Sequence, residues 1–328
     1  MDIADGGAAR LRCAAVFPGQ GSQGPGMGTL WRGHPAWSMV DLAETELRRD
    51  LSRMLLDPDA APAGVFQTHM AVVLCSMMAW SALRTGLRSV ALAGHSLGLV
   101  TALYAAGVLS ARDAIRVVAL RAAITARAGR ARPGGMAAVL AAADVAEAAC
   151  ADADCWVAND NAPQQIVISG SPAGLEAAMA AASGLGARDV IPLKIDGAFH
   201  SPLMRDAAAE FKAALADVSF ASLEAPLVHN GCRYVPAEPV PWARIVADDL
   251  VTPVRWRHTQ LRLAQLGVNA LVEVGFGRTL TGIAKHALPG VLLHNASSPR
   301  AVAQAWILRL PAAAGAAVGR RSRQETER

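Results

Sequence analysis

The sequence predicts an α/β fold: a mostly parallel sheet flanked by helices, with a smaller α+β unit inserted into it. Three observations carry this. Short apolar runs that read as buried strands alternate with longer runs rich in Leu and Ala that read as helices, and such alternation favours a parallel sheet. The chain has 328 residues, 53% of them apolar, which is enough for a large core and an insert. At Arg130-Ala131-Arg132-Pro133-Gly134-Gly135 the alternation stops, and the residues beyond it follow another order.

Leu11 to Phe17 is a short apolar run that reads as the first strand and ends at Pro18. Gly19-Gln20-Gly21-Ser22-Gln23-Gly24 follows, literally G-x-G-x-x-G after a strand, with Asp41 near the distance a ribose-binding acid needs. Pro18 at the junction, and Pro25-Gly26 where the first helical turn belongs, argue against a dinucleotide site. Met39 to Leu56 and Val65 to Leu83 read as helices. The longest apolar stretch, Met70 to Leu83, is too short to span a bilayer and reads as a buried helix. Ser89 to Ala93 is the next strand. Leu99 to Leu109 and Ala111 to Arg127 are helices.

After the break the order is β-α-β-β-α-β. Strands are expected at Met136–Leu140, Cys155–Ala158, Gln165–Ser169 and Val190–Ile195, with helices at Asp144–Cys150 and Pro172–Leu185. Asn159-Asp160-Asn161-Ala162-Pro163 reads as the turn between the middle strands. That order is ferredoxin-like. The expected division is a large α/β domain from residues 1–131 and 196–310, a ferredoxin-like subdomain at 132–195, and a disordered tail at 311–328. In the returning part, Val240–Leu250 and His258–Leu266 read as helices and Ala270–Val274 as a strand.

Gly94-His95-Ser96-Leu97-Gly98 fits the G-x-S-x-G elbow, in which a strand turns straight into a helix, and it makes the large domain hydrolase-like. The tight turn exposes the Ser96 hydroxyl and aims the first free helical N–H groups at whatever it attacks. The competing reading is a Gly-Ser turn without chemistry; the strand before and helix after favour the elbow.

Composition excludes several classes. The net charge is +4, and Arg320, Arg321, Arg323 and Arg328 against Glu325 and Glu327 leave about +2 for the rest, too little to argue for nucleic acid. Cys13, Cys75, Cys150, Cys155 and Cys232 are odd in number and form no C-x-x-C pair, which excludes a disulfide framework or zinc site and suits a reducing cytoplasm. Asp2 and Asp5, with no apolar segment after them, are not a signal peptide, and no membrane association is expected.

Ser96 needs a base, and the chain holds eight histidines: His34, His69, His95, His200, His229, His258, His286 and His294. Spacing does not choose among them. His95 adjoins Ser96, but on a sharp turn adjacent side chains point apart. The ordinary hydrolase order of serine, acid and histidine is available as Ser96, Asp249 and His286.

Three segments together go further. Phe17-Pro18-Gly19-Gln20-Gly21-Ser22-Gln23, Gly94-His95-Ser96-Leu97-Gly98 and Ala198-Phe199-His200-Ser201-Pro202-Leu203-Met204 resemble, in that order, the malonyl-CoA:acyl carrier protein acyltransferases of fatty-acid and polyketide synthesis. The likeness spans residues 13 to 296, and Val167-Ile168-Ser169-Gly170 and Val272-Glu273-Val274-Gly275 also match. By position it implies Ser96 as nucleophile, His200 as its base, the backbone N–H groups of Gln20 and Leu97 as oxyanion hole, and Arg121 as the cation for the malonyl carboxylate. Phe199 would limit what fits beside it. On the residues alone, Arg121 reads as a surface residue of a helix that also carries Arg116 and Arg127.

The chain departs from the family at several positions. Leu99 stands where Glu is frequent, and Phe276 sits in Val274-Gly275-Phe276-Gly277 in place of Pro. Gln67-Thr68-His69 replaces a common Gln-Pro-Ala. Asp249 replaces a Gln whose backbone carbonyl orients the histidine, and is expected to serve likewise. The resemblance implies a discrete ping-pong acyltransferase with malonyl-CoA or a related acyl-CoA as donor and an acyl carrier protein as partner. No metal or redox cofactor is implied, and a monomer is expected. Other acyl groups, transfer between carriers, hydrolysis of stalled acyl groups, or a silent carrier-binding module are the alternatives; intact Ser96 and His200 argue against the last.

Overall fold

Cys13-Ala14-Ala15-Val16-Phe17, uncharged and apolar, forms β1 (Cys13–Phe17), which is buried along its whole length. The computed structural model describes residues 11–87, 89–236 and 238–305. After β1 come α1 (Ser38–Leu47), α2 (Ser52–Leu56), α3 (Gly64–Leu83), β2 (Ser89–Gly94), α4 (Gly98–Ala105) and α5 (Ala111–Ala131). The small unit follows: β3 (Gly135–Val139), α6 (Ala143–Cys150), β4 (Cys155–Ala162), β5 (Gln165–Gly170), α7 (Pro172–Gly184) and β6 (Val190–Pro192). The chain then adds α8 (Arg205–Ala214), β7 (Leu227–His229), β8 (Cys232–Tyr234), α9 (Trp242–Asp248), α10 (Trp256–Gln265), β9 (Ala270–Val274), α11 (Thr279–Ala287), β10 (Leu292–Ala296) and α12 (Pro299–Ala305).

The large sheet has the order β10-β9-β1-β2-β7-β8. Every pairing is parallel except β7 with β8. β1 at its centre brings three loops to one edge, because parallel strands deliver their carboxyl ends to the same side. These are the Gly-rich loop after β1, the elbow after β2 and Gly275-Phe276-Gly277 after β9. They touch one another. A Cβ on Gly24 would lie 2.7 Å from the Phe276 ring, and one on Gly277 would lie 3.1 Å from the Ser22 carbonyl. Glu273, fully buried at the end of β9, accepts from the Leu280 and Thr281 N–H groups and from the Thr281 hydroxyl, so its side chain caps the start of α11.

α3 is apolar all round, as a helix covered on every side should be. It starts at Gly64, six residues before the apolar stretch, and its 20 residues meet the length and hydropathy of a bilayer-spanning helix. Yet 72% of that apolar window is buried inside the fold, so α3 is a core helix and the sequence reading of a buried helix holds. Met39–Leu56, expected as one helix, is two. Arg48 takes a left-handed backbone (φ +49°), and the Glu44 carboxylate accepts from the Leu51 and Ser52 N–H groups where α2 begins.

The inserted sheet has the order β4-β5-β3-β6 with every pairing antiparallel, the ferredoxin-like arrangement that the sequence order predicts. Of the expected turn at residues 159–163, Asn159 to Ala162 are strand, and the turn is confined to Pro163 and Gln164. β4 runs to Ala162 through two register shifts. The partner that extends it is remote: the Asp160 N–H donates to the Val254 carbonyl (2.9 Å) and the Val254 N–H to the Ala158 carbonyl (2.8 Å). The tail expected at 311–328 lies outside the described residues.

Candidate active site

The elbow is as tight as its glycines require. A Cβ on Gly94 would overlap the Gly98 carbonyl, and one on Gly98 would overlap the Phe17 carbonyl. Between them Ser96 takes φ +51°, and across the site His200 takes φ +59°. Left-handed backbone is costly for residues with a Cβ and collects where geometry serves a function. The Ser96 hydroxyl donates to His200 Nε2 at 2.7 Å. His200 Nδ1 lies 3.0 Å from the Thr252 carbonyl oxygen, which only accepts, so the proton sits on Nδ1 and the Nε2 lone pair faces Ser96. A hydroxyl hydrogen-bonded to a neutral, buried imidazole in the correct tautomer is set up for deprotonation.

The expected role of Asp249, orienting His200 through its backbone carbonyl, is not what the structure holds. α9 ends at Asp248, and the chain turns so that the Leu250 carbonyl accepts from the His200 N–H (2.9 Å) while the Thr252 carbonyl reaches Nδ1. Asp249 acts through its side chain instead. It is 5% exposed, its Oδ1 lies 3.5 Å from His229 Nε2, and its charge pulls the His200 pKa upward. The ordinary order of Ser96, Asp249 and His286 is not assembled, because His286 is exposed in the last turn of α11.

His95 points away from the Ser96–His200 pair. Its Nε2 lies 2.8 Å from Asn161 Oδ1 at the end of β4, and its ring packs edge-on against Trp256. The elbow is thereby tied to the small subdomain. Arg257 donates to Asp160 and Gln260 to the Asn161 carbonyl, so the end of β4 is seated on α10, the helix that follows the turn holding His200.

The first loop meets the elbow closely. A Cβ on Gly19 would lie 2.5 Å from the His95 carbonyl oxygen and 3.5 Å from the Leu97 nitrogen. Among the described residues, neither the Gln20 nor the Leu97 backbone N–H donates a hydrogen bond. Arg121, on α5, is 4% exposed and is not the surface residue its helix suggested. Its guanidinium lies 5.7 Å over the ring of Phe199, the buried neighbour of His200. Among the described residues no carboxylate comes within ion-pair distance of it. Burial pulls its pKa down to about 10, against the pull of the Asp249 charge. Among the described residues no three His, Cys, Asp or Glu side chains are grouped to hold a metal ion.

A family model described as acyl transferase domain matches residues 15–306. The chain belongs to that family. It is 34% identical over 294 residues to the malonyl CoA-acyl carrier protein transacylase of Synechocystis, covering 87% of this chain and 97% of that one. It is also 34% identical to the Bacillus subtilis protein of the same name, covering 84% and 90%. The fold superposes on the acyl-carrier-protein S-malonyltransferase of Burkholderia pseudomallei with a TM-score of 0.85, at 31% identity, covering 92% of this chain and 100% of that one. It superposes also on a malonyl-transacylase solved with its type II polyketide acyl carrier protein, with a TM-score of 0.84, at 29% identity, covering 90% and 99%.

In this acyltransferase His200 is pushed down to about 4, by burial first, with the Asp249 charge opposing and the Arg121 charge assisting. The imidazole is therefore neutral above that pH. Serine acylation is expected to be insensitive to this group at neutral pH and to fall as pH drops through about 4, read from single-turnover rates. Stability moves the same way. Below the ordinary histidine value of 6.5 the unfolded chain takes up this proton while the native state does not, so stability falls with pH between 6.5 and 4. At pH 4.5 the loss from this group is about 2–3 kcal/mol. Urea midpoints at pH 7 and 4.5 should show a smaller drop for His200→Gln than for wild type.

Sequence reasoning missed Thr252, which acts through a carbonyl that every residue carries. It also missed Asn161, masked by a turn-like composition. The signal for His69 was present as a departure from Gln-Pro-Ala.

Proposed function

We propose that this chain transfers malonyl from coenzyme A to the phosphopantetheine thiol of an acyl carrier protein, through an acyl-serine, in polyketide biosynthesis. The observation that carries the substrate class is Arg121: a buried guanidinium with no carboxylate at ion-pair distance among the described residues, flanking the residue next to His200. A desolvated cation of this kind is costly alone and suits an acyl group that brings its own carboxylate. The names of the curated relatives support the donor and acceptor. The polyketide assignment rests on two likenesses: the polyketide transacylase complex, and 36% identity to 24% of the Burkholderia thailandensis polyketide biosynthesis protein ThaF.

The geometry of Ser96 and His200 supports the following steps. His200 Nε2 takes the Ser96 proton as Oγ bonds to the thioester carbonyl carbon. The oxyanion is met by the Gln20 and Leu97 N–H groups while the positive charge develops on His200. The carbon–sulfur bond breaks, and the imidazolium returns its proton to the leaving thiolate, releasing coenzyme A. The carrier thiol then gives its proton to His200, attacks the acyl-serine, and leaves with the malonyl group as Ser96 recovers its proton.

The test uses isotopically labelled malonyl-CoA with polyketide and fatty-acid carrier proteins in parallel. Label is expected on the polyketide carrier, at a rate above that on the fatty-acid one. Release of free malonate without transfer would replace this reading by a hydrolase, and preference for the fatty-acid carrier would remove the polyketide assignment.

A further inference from the structure

His69 has no part in the steps above, yet it is fully buried among the residues that carry them. It sits near the start of α3, and three neighbours define its position. Arg121 Nη1 is 3.5 Å from His69 Nδ1 and 3.3 Å from Nε2. A hydrogen bond in the ring plane to one nitrogen would leave the other much farther away. Near-equal distances put Nη1 over the imidazole face, a contact a flat cation favours. His69 Nε2 is also 3.3 Å from Gln20 Oε1, an acceptor, so the ring proton sits on Nε2. The imidazole and the Phe199 ring are 6.1 Å apart between centroids.

Arg121 is thus flanked by two rings, His69 and Phe199, and His69 in turn contacts the side chain of Gln20. One wall of side chains joins the guanidinium to the loop after β1. The ring in it is neutral: burial, and then the Arg121 charge, hold His69 well below the ordinary histidine range. A neutral imidazole does not compete with Arg121 for an anion. It contributes volume and a flat support.

We propose that His69 is a specificity-determining residue that sets the depth of the acyl pocket, filling the space beside Arg121 and holding the guanidinium where a three-carbon dicarboxyl group reaches it. The inference rests on the malonyl reading given above. A longer acyl chain, with one more methylene before the carboxylate, would have to displace the imidazole or push Arg121 off its support. Replacing the ring by a small side chain opens that space and frees the guanidinium together.

The test compares malonyl-CoA and succinyl-CoA as donors, with kcat/KM for acyl-serine formation followed by mass spectrometry. His69→Ala is expected to shift the succinyl-to-malonyl ratio at least about tenfold toward succinyl, the scale of one methylene in a fitted pocket. The malonyl KM should rise because Arg121 loses its support. His69→Met, which refills the volume without polar atoms, should return the ratio toward that of wild type. A general loosening of the fold would lower both rates and leave the ratio alone. If His69→Ala does not fold, His69→Val carries the same comparison with a smaller shift. A ratio within twofold of wild type in the folded small-residue variant, with wild type loading malonyl, overturns the role of His69 and leaves the proposed function standing. A wild type that loads no malonyl overturns both.

Discussion

Ser96→Ala is expected to abolish acylation: no malonyl mass should appear on the protein after exposure to malonyl-CoA, where wild type gains one. The effect is the largest of any single substitution here because no second group can take over. The Ser96 hydroxyl is held 2.7 Å from His200 Nε2 by a backbone at φ +51°, in a turn whose two glycines leave no room for a Cβ. Removing Oγ leaves His200 with no hydroxyl to activate and the two N–H donors with no oxyanion to meet. Turnover should fall by several orders of magnitude, as when any member of a cooperating nucleophile–base unit is removed. The substitution deletes one atom at a half-buried position and leaves the elbow glycines in place, so the variant should fold and be assayable. Intact-mass measurement decides the matter: a malonylated Ser96→Ala protein would place the nucleophile elsewhere.

Arg121→Ala is expected to reduce malonyl loading by on the order of 10²–10³-fold while sparing, or raising, acetyl loading. The asymmetry follows from charge. A malonyl group must carry its second carboxylate out of water, and leaving such a group buried without its partner costs about 3–5 kcal/mol. Acetyl has no carboxylate to desolvate, and for it the guanidinium is merely a buried cation beside an apolar ring. Comparing kcat/KM for the two coenzyme A thioesters in wild type and variant reads this directly. An equal loss for both donors would make Arg121 a structural residue, and a wild type that prefers acetyl would sink the clamp outright.

The elbow shows why some of this site was legible in the chain. A strand, two glycines at fixed spacing and a helix are local features, and the clash that Gly94 avoids, with the Gly98 carbonyl, lies within the elbow; the one Gly98 avoids, with the Phe17 carbonyl of β1, is set by the sheet. The ferredoxin-like order was legible for the same reason, since strand and helix periods are written in short segments. β7, β8 and β10 were not anticipated. They are short, at three, three and five residues, and each holds its place by pairing with a strand remote in sequence or by a turn that composition does not mark.

Arg121 marks the boundary between the two kinds of knowledge. Its residue type shares a helix with two exposed arginines, Arg112 and Arg116, and only the packing of α5 on α3 buries it against His69. Asp249 makes the same point in reverse: the carbonyl that orients His200 is that of Thr252, three residues on, because the turn after α9 points it there. The sequence by itself determined the elbow, the order of the inserted subdomain and the family, since these reside in local patterning and in motifs kept in register. Spacing left the histidine open and the family motif pointed to His200, which the structure places 2.7 Å from Ser96; only the tertiary structure decided which carbonyl holds it and what flanks the guanidinium. Those are contacts between segments dozens of residues apart, and their energy comes from burial and alignment that no local pattern records.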